Sequence, residues 1–274
     1  MTACKGPGYP LASFENWYRT PLGKAVAVQE AACLEEMLHD TFGYYLVQVG
    51  VGSCFRDVLA ETRIRHRVLL PCRAPAGPGG LQVVGNPVAL PIAADSVDAA
   101  LLTHTLDFVS DPRLVLREVE RVLIPEGRVI ILGFNALSSW GLLRFLYRYR
   151  RRVPWCGHFL TPYRVEDWLS LLGFDIEVRK QIMFRPPIHG ALSPRLAVLD
   201  TLGRALWPAL GGVYVIKAVK RVSTLTPLRP SWSARRALLP GGAIEPSARN
   251  QMSCVAVADR RSGGVEGNDE GECR

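Results

Sequence analysis

The alternation of short apolar runs with helical patterns between residues 44 and 222 limits this chain to few folds. Runs typical of strands occur at 44–49, 67–70, 81–84, 98–103, 127–133, 174–183 and 213–222. Several have apolar residues at successive positions, as expected for strands buried on both faces of a parallel sheet. Strands that alternate with helices in this way predict a doubly wound α/β sheet.

Start signals mark several of the predicted helices. Asp111 precedes Pro112, so its side chain can cap the first amides while proline fits the first helical position. Thr161 before Pro162 gives the same signal. Helical spacing of apolar residues or similar signals predict helices at 22–41, 112–123, 138–152, 162–172 and near 195–207.

Length and composition indicate one folded domain with two less ordered ends. The 274 residues suffice for one full α/β domain but not for two large ones. We expect an N-terminal lead-in at 1–20, a folded domain at 21–222, and a disordered tail at 223–274, where proline and glycine are frequent and large apolar residues sparse.

The remaining composition favours a cytoplasmic protein without metal. No basic-then-apolar leader follows Met1, and no apolar run is long enough to span a membrane. Seven cysteines include no CxxC pair, which argues against a disulfide framework and against a zinc site. We therefore expect reduced thiols and no metal ligands.

A glycine turn follows the first strand, in the segment Tyr44–Cys54 that reads YYLVQVGVGSC. Such a turn lets a ligand approach the backbone, although a tight turn needing positive φ explains the glycines equally well. A dinucleotide-binding site is disfavoured, because Phe55 stands where its third glycine would be and no acid lies between Glu61 and Asp95.

The stretch from Leu90 to Phe134 carries the most specific signal. It contains LPIAADSVDAALLTHTL, then Asp111-Pro112, then LREVERVLIPEGRVII. Over roughly residues 40–222 the chain resembles the class I S-adenosylmethionine-dependent methyltransferases of the type 11 subgroup, whose strands and helix read "LPF-x-D-x-SFD", "xxHxLxH" and "LxExxRVLxPGG". The run from Gly133 to Leu142 is similar to a little-characterised bacterial branch of that family.

This resemblance implies a Rossmann-like sheet of seven strands whose last strand, at 213–222, is antiparallel. It also implies S-adenosylmethionine as cofactor, lying over the carboxyl ends of the strands. Gly50 and Gly52 would pass beneath its amino-acid part, and a side chain at Gly50 would block binding. The full set of implied cofactor-binding residues is Gln48, Gly50, Gly52, Asn86, Pro87, Thr103 and His104.

Several of these positions depart from the family pattern. Gln48 and Asn86 replace acids, Cys54 replaces the third glycine of the turn, and Pro71-Cys72-Arg73 offers no acid for the ribose. Hydrogen bonds to charged groups contribute about 1.5–3 kcal/mol each. Losing the ribose carboxylate alone is expected to weaken binding roughly tenfold to a hundredfold.

Three polar residues have a structural alternative to a functional role. His104 would lie near the cofactor, but a histidine at a strand exit is also commonly a hydrogen-bonded, half-buried residue. Asn135 and Ser138 could touch substrate, or they could only cap the helix that follows. No catalytic residue is assigned.

The helix at 138–152 combines basic and apolar residues. Arg144, Arg148, Arg151 and Arg152 share one face in the prediction, and Leu142, Leu146 and Tyr149 another. This pattern fits a solvated basic face on a packed helix, or contact with a membrane surface or an acylated substrate. Nucleic-acid binding is disfavoured, because no recognised DNA- or RNA-binding module accompanies the basic residues.

Two functional hypotheses follow from these observations. The first is methyl transfer from S-adenosylmethionine to a small or lipid-like acceptor, which the intact 90–133 segment favours. The second is a catalytically silent, methyltransferase-like binding or scaffold protein, which the missing acids favour.

Overall fold

The computed structural model describes residues 9–70, 85–147, 153–187, 200, 203 and 205–222. Within these residues a sheet of six strands has the order β2-β1-β3-β4-β6-β5. The strands are β1 (Tyr45–Gly50), β2 (His66–Leu70), β3 (Val97–Thr103), β4 (Leu123–Phe134), β5 (Phe174–Ile182) and β6 (Val213–Lys220). The seventh predicted strand, at 81–84, lies outside the described residues.

Strand directions confirm the doubly wound prediction. β1 pairs in parallel with β2 and β3, and β3 pairs in parallel with β4, as right-handed βαβ connections require. β6 is antiparallel to both β4 and β5, so the last strand runs against the rest of the sheet, as the resemblance implies.

Helices cover both faces of this sheet. They are α1 (Tyr9–Tyr18), α2 (Pro21–Leu38), α3 (Arg56–Ala60), α4 (Thr105–Phe108), α5 (Pro112–Val122), α6 (Ser139–Tyr147) and α7 (Pro162–Leu171). Both predicted caps form: the Asp111 carboxylate accepts from Arg113 N–H at 3.0 Å, and the Thr161 hydroxyl accepts from Arg164 N–H at 3.4 Å. The helix predicted near 195–207 falls largely outside the described residues.

Two apolar clusters pack against opposite faces of the sheet. One includes side chains of α1, α2 and α3, and the other includes side chains of α5 and α7. Across the part of the chain that the structure describes, no helix is both long and apolar enough to cross a membrane.

The N-terminal segment differs from the predicted lead-in, because helix α1 forms within residues 1–20. Phe14 is fully buried, and Trp17 and Tyr18 are nearly so. Phe14 stacks on Trp17 with ring centroids 5.0 Å apart. The buried residues of α1 are aromatic and spaced three or four positions apart, a pattern that a search for aliphatic periodicity misses. The predicted tail at 223–274 lies outside the described residues.

Candidate functional site

The glycine turn is fastened to the neighbouring strand by side-chain hydroxyls. Gly50 lies beside Thr103 in the register of β1 and β3. The Thr103 hydroxyl donates to the Val51 carbonyl oxygen at 2.6 Å, and the Thr105 hydroxyl donates to the Val49 carbonyl oxygen at 2.7 Å. The ends of β1 and β3 therefore form one rigid edge, at the place where open α/β sheets bind ligands.

Contacts within the protein constrain Gly50 strongly and Gly52 less, because the atom nearest to a Cβ on Gly52 is the end of a flexible leucine side chain. Gly50 has φ +112, and a Cβ there would lie 2.3 Å from the Thr103 carbonyl oxygen. A Cβ on Gly52 would lie 2.4 Å from Leu69 Cδ1. A side chain at Gly50 would thus collide with the protein itself, and whether it would also block the cofactor stays a prediction.

Two positions that depart from the family pattern make hydrogen bonds to backbone atoms two or three residues away. The buried Gln48 amide donates to the Val51 carbonyl oxygen at 2.8 Å, so it supports the turn. Asn86 is exposed, and its side-chain oxygen accepts from Val88 N–H at 3.2 Å beside the buried Pro87. Residues 71–73, where the ribose acid is missing, lie outside the described residues.

His104, directly after β3, lies between two buried carboxyl groups. Its Nδ1 is 3.0 Å from Asp107 Oδ2, and its Nε2 is 2.8 Å from Glu30 Oε1. The Tyr18 hydroxyl donates to Glu30 Oε2 at 2.6 Å. The side chains of Glu30, His104 and Asp107 are all fully buried. We call Glu30, His104 and Asp107 the buried triad.

Sequence reasoning named only His104 among these residues. Glu30 carried a usable signal: it lies between Val26 and Leu34 at helical spacing, on the buried face of α2. A carboxylate on an apolar helix face is unusual and predicts a charged or hydrogen-bonded partner.

The electrostatics of the triad favour a protonated histidine. Burial lowers the pKa of His104, but the charge of Glu30 and the hydrogen bonds to Asp107 and Glu30 outweigh it and raise this pKa to about 9. Burial also raises the pKa of Asp107. Both ring nitrogens face carboxyl oxygens, so each carries a proton at neutral pH and His104 is an imidazolium, not a base.

One oxygen of the triad accepts from no donor in the described part of the chain. Asp107 Oδ2 accepts from Phe134 N–H at 3.0 Å as well as from His104. Asp107 Oδ1 is buried and has no hydrogen-bond partner among the described residues. An unsatisfied buried oxygen costs free energy. It fits a ligand that brings an N–H or ammonium donor, such as the amino-acid part of S-adenosylmethionine.

Asn135 and Ser138 are occupied by contacts within the protein. The Asn135 amide donates to the carbonyl oxygens of Ala209 and Gly211, each at 3.1 Å. The Ser138 hydroxyl donates to the Asn135 carbonyl oxygen at 2.7 Å and accepts from Gly141 N–H at 3.3 Å. These bonds favour the capping alternative, and contact with substrate stays a prediction.

Helix α6 exposes several apolar side chains, although its Trp140 is fully buried. Leu142 is 74% exposed, and Phe145 and Leu146 are each 66% exposed. Arg144 is only partly exposed and lies over the Phe159 ring, 5.4 Å from its centroid. The described part of this helix therefore packs through Trp140 and exposes apolar side chains, and the solvated basic face stays a prediction. Arg148, Arg151 and Arg152 lie outside the described residues.

Comparisons with known proteins agree with this architecture. A family model described as a methyltransferase domain matches residues 61–131. The Escherichia coli protein YafS is 32% identical over 219 residues, covering 78% of this chain and 85% of YafS.

A more distant relative and a solved structure extend this similarity. A demethylmenaquinone methyltransferase from Bacillus velezensis is 32% identical over 88 residues, covering 31% of this chain and 38% of that enzyme. A Thermotoga maritima structure, solved as a SAM-dependent methyltransferase and possible histamine N-methyltransferase, shares the fold with a TM-score of 0.56 at 20% identity; the match covers 77% of this chain and 96% of that one. The chain belongs to the class I S-adenosylmethionine-dependent methyltransferases.

Proposed function

We propose that this protein transfers a methyl group from S-adenosylmethionine to a small, lipid-like acceptor. The observation that carries the proposal is the edge formed by the glycine turn and the end of β3, next to a buried carboxyl oxygen to which no described residue donates. This edge lies at the carboxyl ends of parallel strands, the usual ligand position in such sheets.

The chain's own residues would bind and orient the cofactor. Thr103 and His104 would close the methionine end above Gly50 and Gly52, with Gln48 supporting the turn, and Asn86 and Pro87 would flank the adenine. When bound, S-adenosylmethionine supplies a methyl group activated on a sulfonium. His104 already carries a proton on each ring nitrogen, so its contribution is charge and position, not proton removal.

The exposed apolar side chains of α6 support the proposal that the acceptor lies in a membrane. Leu142, Phe145 and Leu146 recur at helical spacing and are all strongly exposed. A cluster of exposed apolar side chains is typical of interaction surfaces. In the sequence Arg148, Arg151 and Arg152 follow directly, a combination that suits an anionic membrane surface. The similarity to a demethylmenaquinone methyltransferase supports the same acceptor class.

Transfer of a labelled methyl group tests both the methyl transfer and the membrane contact through α6. The assay offers methyl-labelled S-adenosylmethionine and vesicles of total Escherichia coli lipid, and it measures label in the organic-soluble fraction. We expect label with wild type. We expect at least tenfold slower labelling with the Leu142→Glu, Leu146→Glu double variant, because burying a leucine contributes about 1.5–3 kcal/mol.

Leu171→Glu is the matched control, because Leu171 is 77% exposed on α7, away from α6. Its rate should equal that of wild type. Equal rates for the double variant and wild type would reject the membrane contact and leave methyl transfer standing. No label in the organic fraction from any variant would reject the lipid-like acceptor.

A further inference from the structure

We propose that Glu30 and Asp107 replace the missing acid at position 48 and bind the ammonium group of the cofactor's amino-acid part. This inference rests on the proposed function and concerns the same site. Helices α2 and α4, which carry these two residues, lie outside the strand-and-turn segment where the family pattern has its acid.

The first support is the inventory of acids around the turn. Residues 45–55 contain no Asp or Glu. Among the described residues, Glu30 and Asp107 are the acids with fully buried side chains, and both contact His104. Within the described residues these two are therefore the buried acids that would bind a cationic ligand group at this edge.

The second support is proximity to the turn. His104 follows Thr103, whose hydroxyl and carbonyl oxygen both bond the turn residue Val51. The charge of Glu30 also reaches Cys54, at the turn's third glycine position, where burial and that charge raise the pKa of the thiol. Glu30 thus acts electrostatically on the segment that would carry the ligand.

The third support is the set of unfilled hydrogen-bond acceptors. Two carboxyl groups flank the His104 ring in a fully buried triad, and an ammonium group would donate to both. An ionised carboxylate can accept about four hydrogen bonds. Glu30 accepts two within the described residues, from His104 and Tyr18, and Asp107 Oδ1 accepts none there. Both carboxyl groups therefore have acceptor positions that no described donor fills.

Calorimetry with two ligands separates ligand binding from a structural role. S-adenosylhomocysteine carries the amino-acid part, whereas 5′-methylthioadenosine lacks it and keeps the nucleoside. We expect Glu30→Gln and Asp107→Asn each to weaken S-adenosylhomocysteine at least tenfold, the loss of a charge-assisted bond, and to change 5′-methylthioadenosine less than twofold. Glu36→Gln, at an exposed position on the same helix, should change neither affinity.

The outcomes distinguish failure of this inference from failure of the proposed function. Equal weakening of both ligands, or no weakening, would overturn the inference while wild-type binding keeps the proposed function. Absence of wild-type binding at millimolar ligand would reject the proposed function itself. If neither variant folds, wild-type affinity for S-adenosylhomocysteine lacking its amino group decides, and affinity equal to that of the intact ligand would overturn the inference.

Discussion

Gly50→Ala should lower the free energy of unfolding by about 3 kcal/mol or more. The residue has φ +112, which L side chains adopt only at a cost of about 1–3 kcal/mol. The new Cβ would also lie 2.3 Å from the Thr103 carbonyl oxygen and 2.6 Å from the Thr105 hydroxyl, so β1 and β3 would have to separate. Overpacking of this kind typically costs a further 1–3 kcal/mol or so. Urea unfolding of variant and wild type measures the difference.

Gly173→Ala is the matched control for this prediction. Gly173 also has a positive φ, +83, but the nearest atom to its Cβ position, the Arg221 carbonyl oxygen, is 3.5 Å away. The Gly173→Ala substitution should therefore cost only the backbone strain, about 1–2 kcal/mol in the free energy of unfolding. Equal losses at the two positions would show that the contact with β3 contributes nothing.

His104→Leu should destabilise the protein by about 3–5 kcal/mol at neutral pH. The substitution removes the imidazolium and leaves the Glu30 and Asp107 carboxylates buried without their shared partner. Breaking one member of a buried ionic cluster typically has this cost, because the remaining charges cannot reach water. Urea unfolding at several pH values measures this loss and shows whether it depends on the charge of His104.

The pH dependence of the free energy of unfolding identifies the charge of His104 as the cause of this loss. The pKa of His104 is raised in the folded state from 6.5 to about 9, so the proton stabilises the folded chain fully below pH 6.5. That contribution, roughly 3 kcal/mol from the size of the shift, is lost as the pH rises through 9. Wild type should therefore lose stability between pH 6.5 and 9, and His104→Leu should lack this decline.

His66→Leu provides the control on the surface. His66 is exposed and stacks on Tyr45, with ring centroids 5.3 Å apart. Its substitution should change stability by less than about 0.5 kcal/mol and leave the pH profile of wild type intact. An identical decline in His104→Leu and wild type would assign the pH dependence to other groups.

The sequence predicted those parts of the fold that local signals specify. The strands at 44–49, 98–103 and 127–133 have apolar residues at most successive positions, and their burial on both faces of a parallel sheet follows from that composition. Asp111 and Thr161 act on amides two or three residues away, so their caps could be recognised from neighbouring residues alone.

The buried triad could not be predicted in the same way. Glu30 and His104 are 74 positions apart, and only the packing of α2 over the end of β3 brings their side chains together. The contacts that constrain Gly50 could not be predicted for a related reason, because its close neighbours lie on and just after another strand. Helix α1 was missed because its buried positions are aromatic, without the aliphatic repeat that marks α2.

Calorimetric titration of the wild-type chain with S-adenosylhomocysteine tests the central claim most directly. The claim is that the edge formed by β1 and β3 binds this cofactor although acids are missing at positions 48 and 86. We expect a single site with a dissociation constant in the micromolar range. No heat of binding up to millimolar ligand, from protein that unfolds cooperatively in urea, would contradict the account.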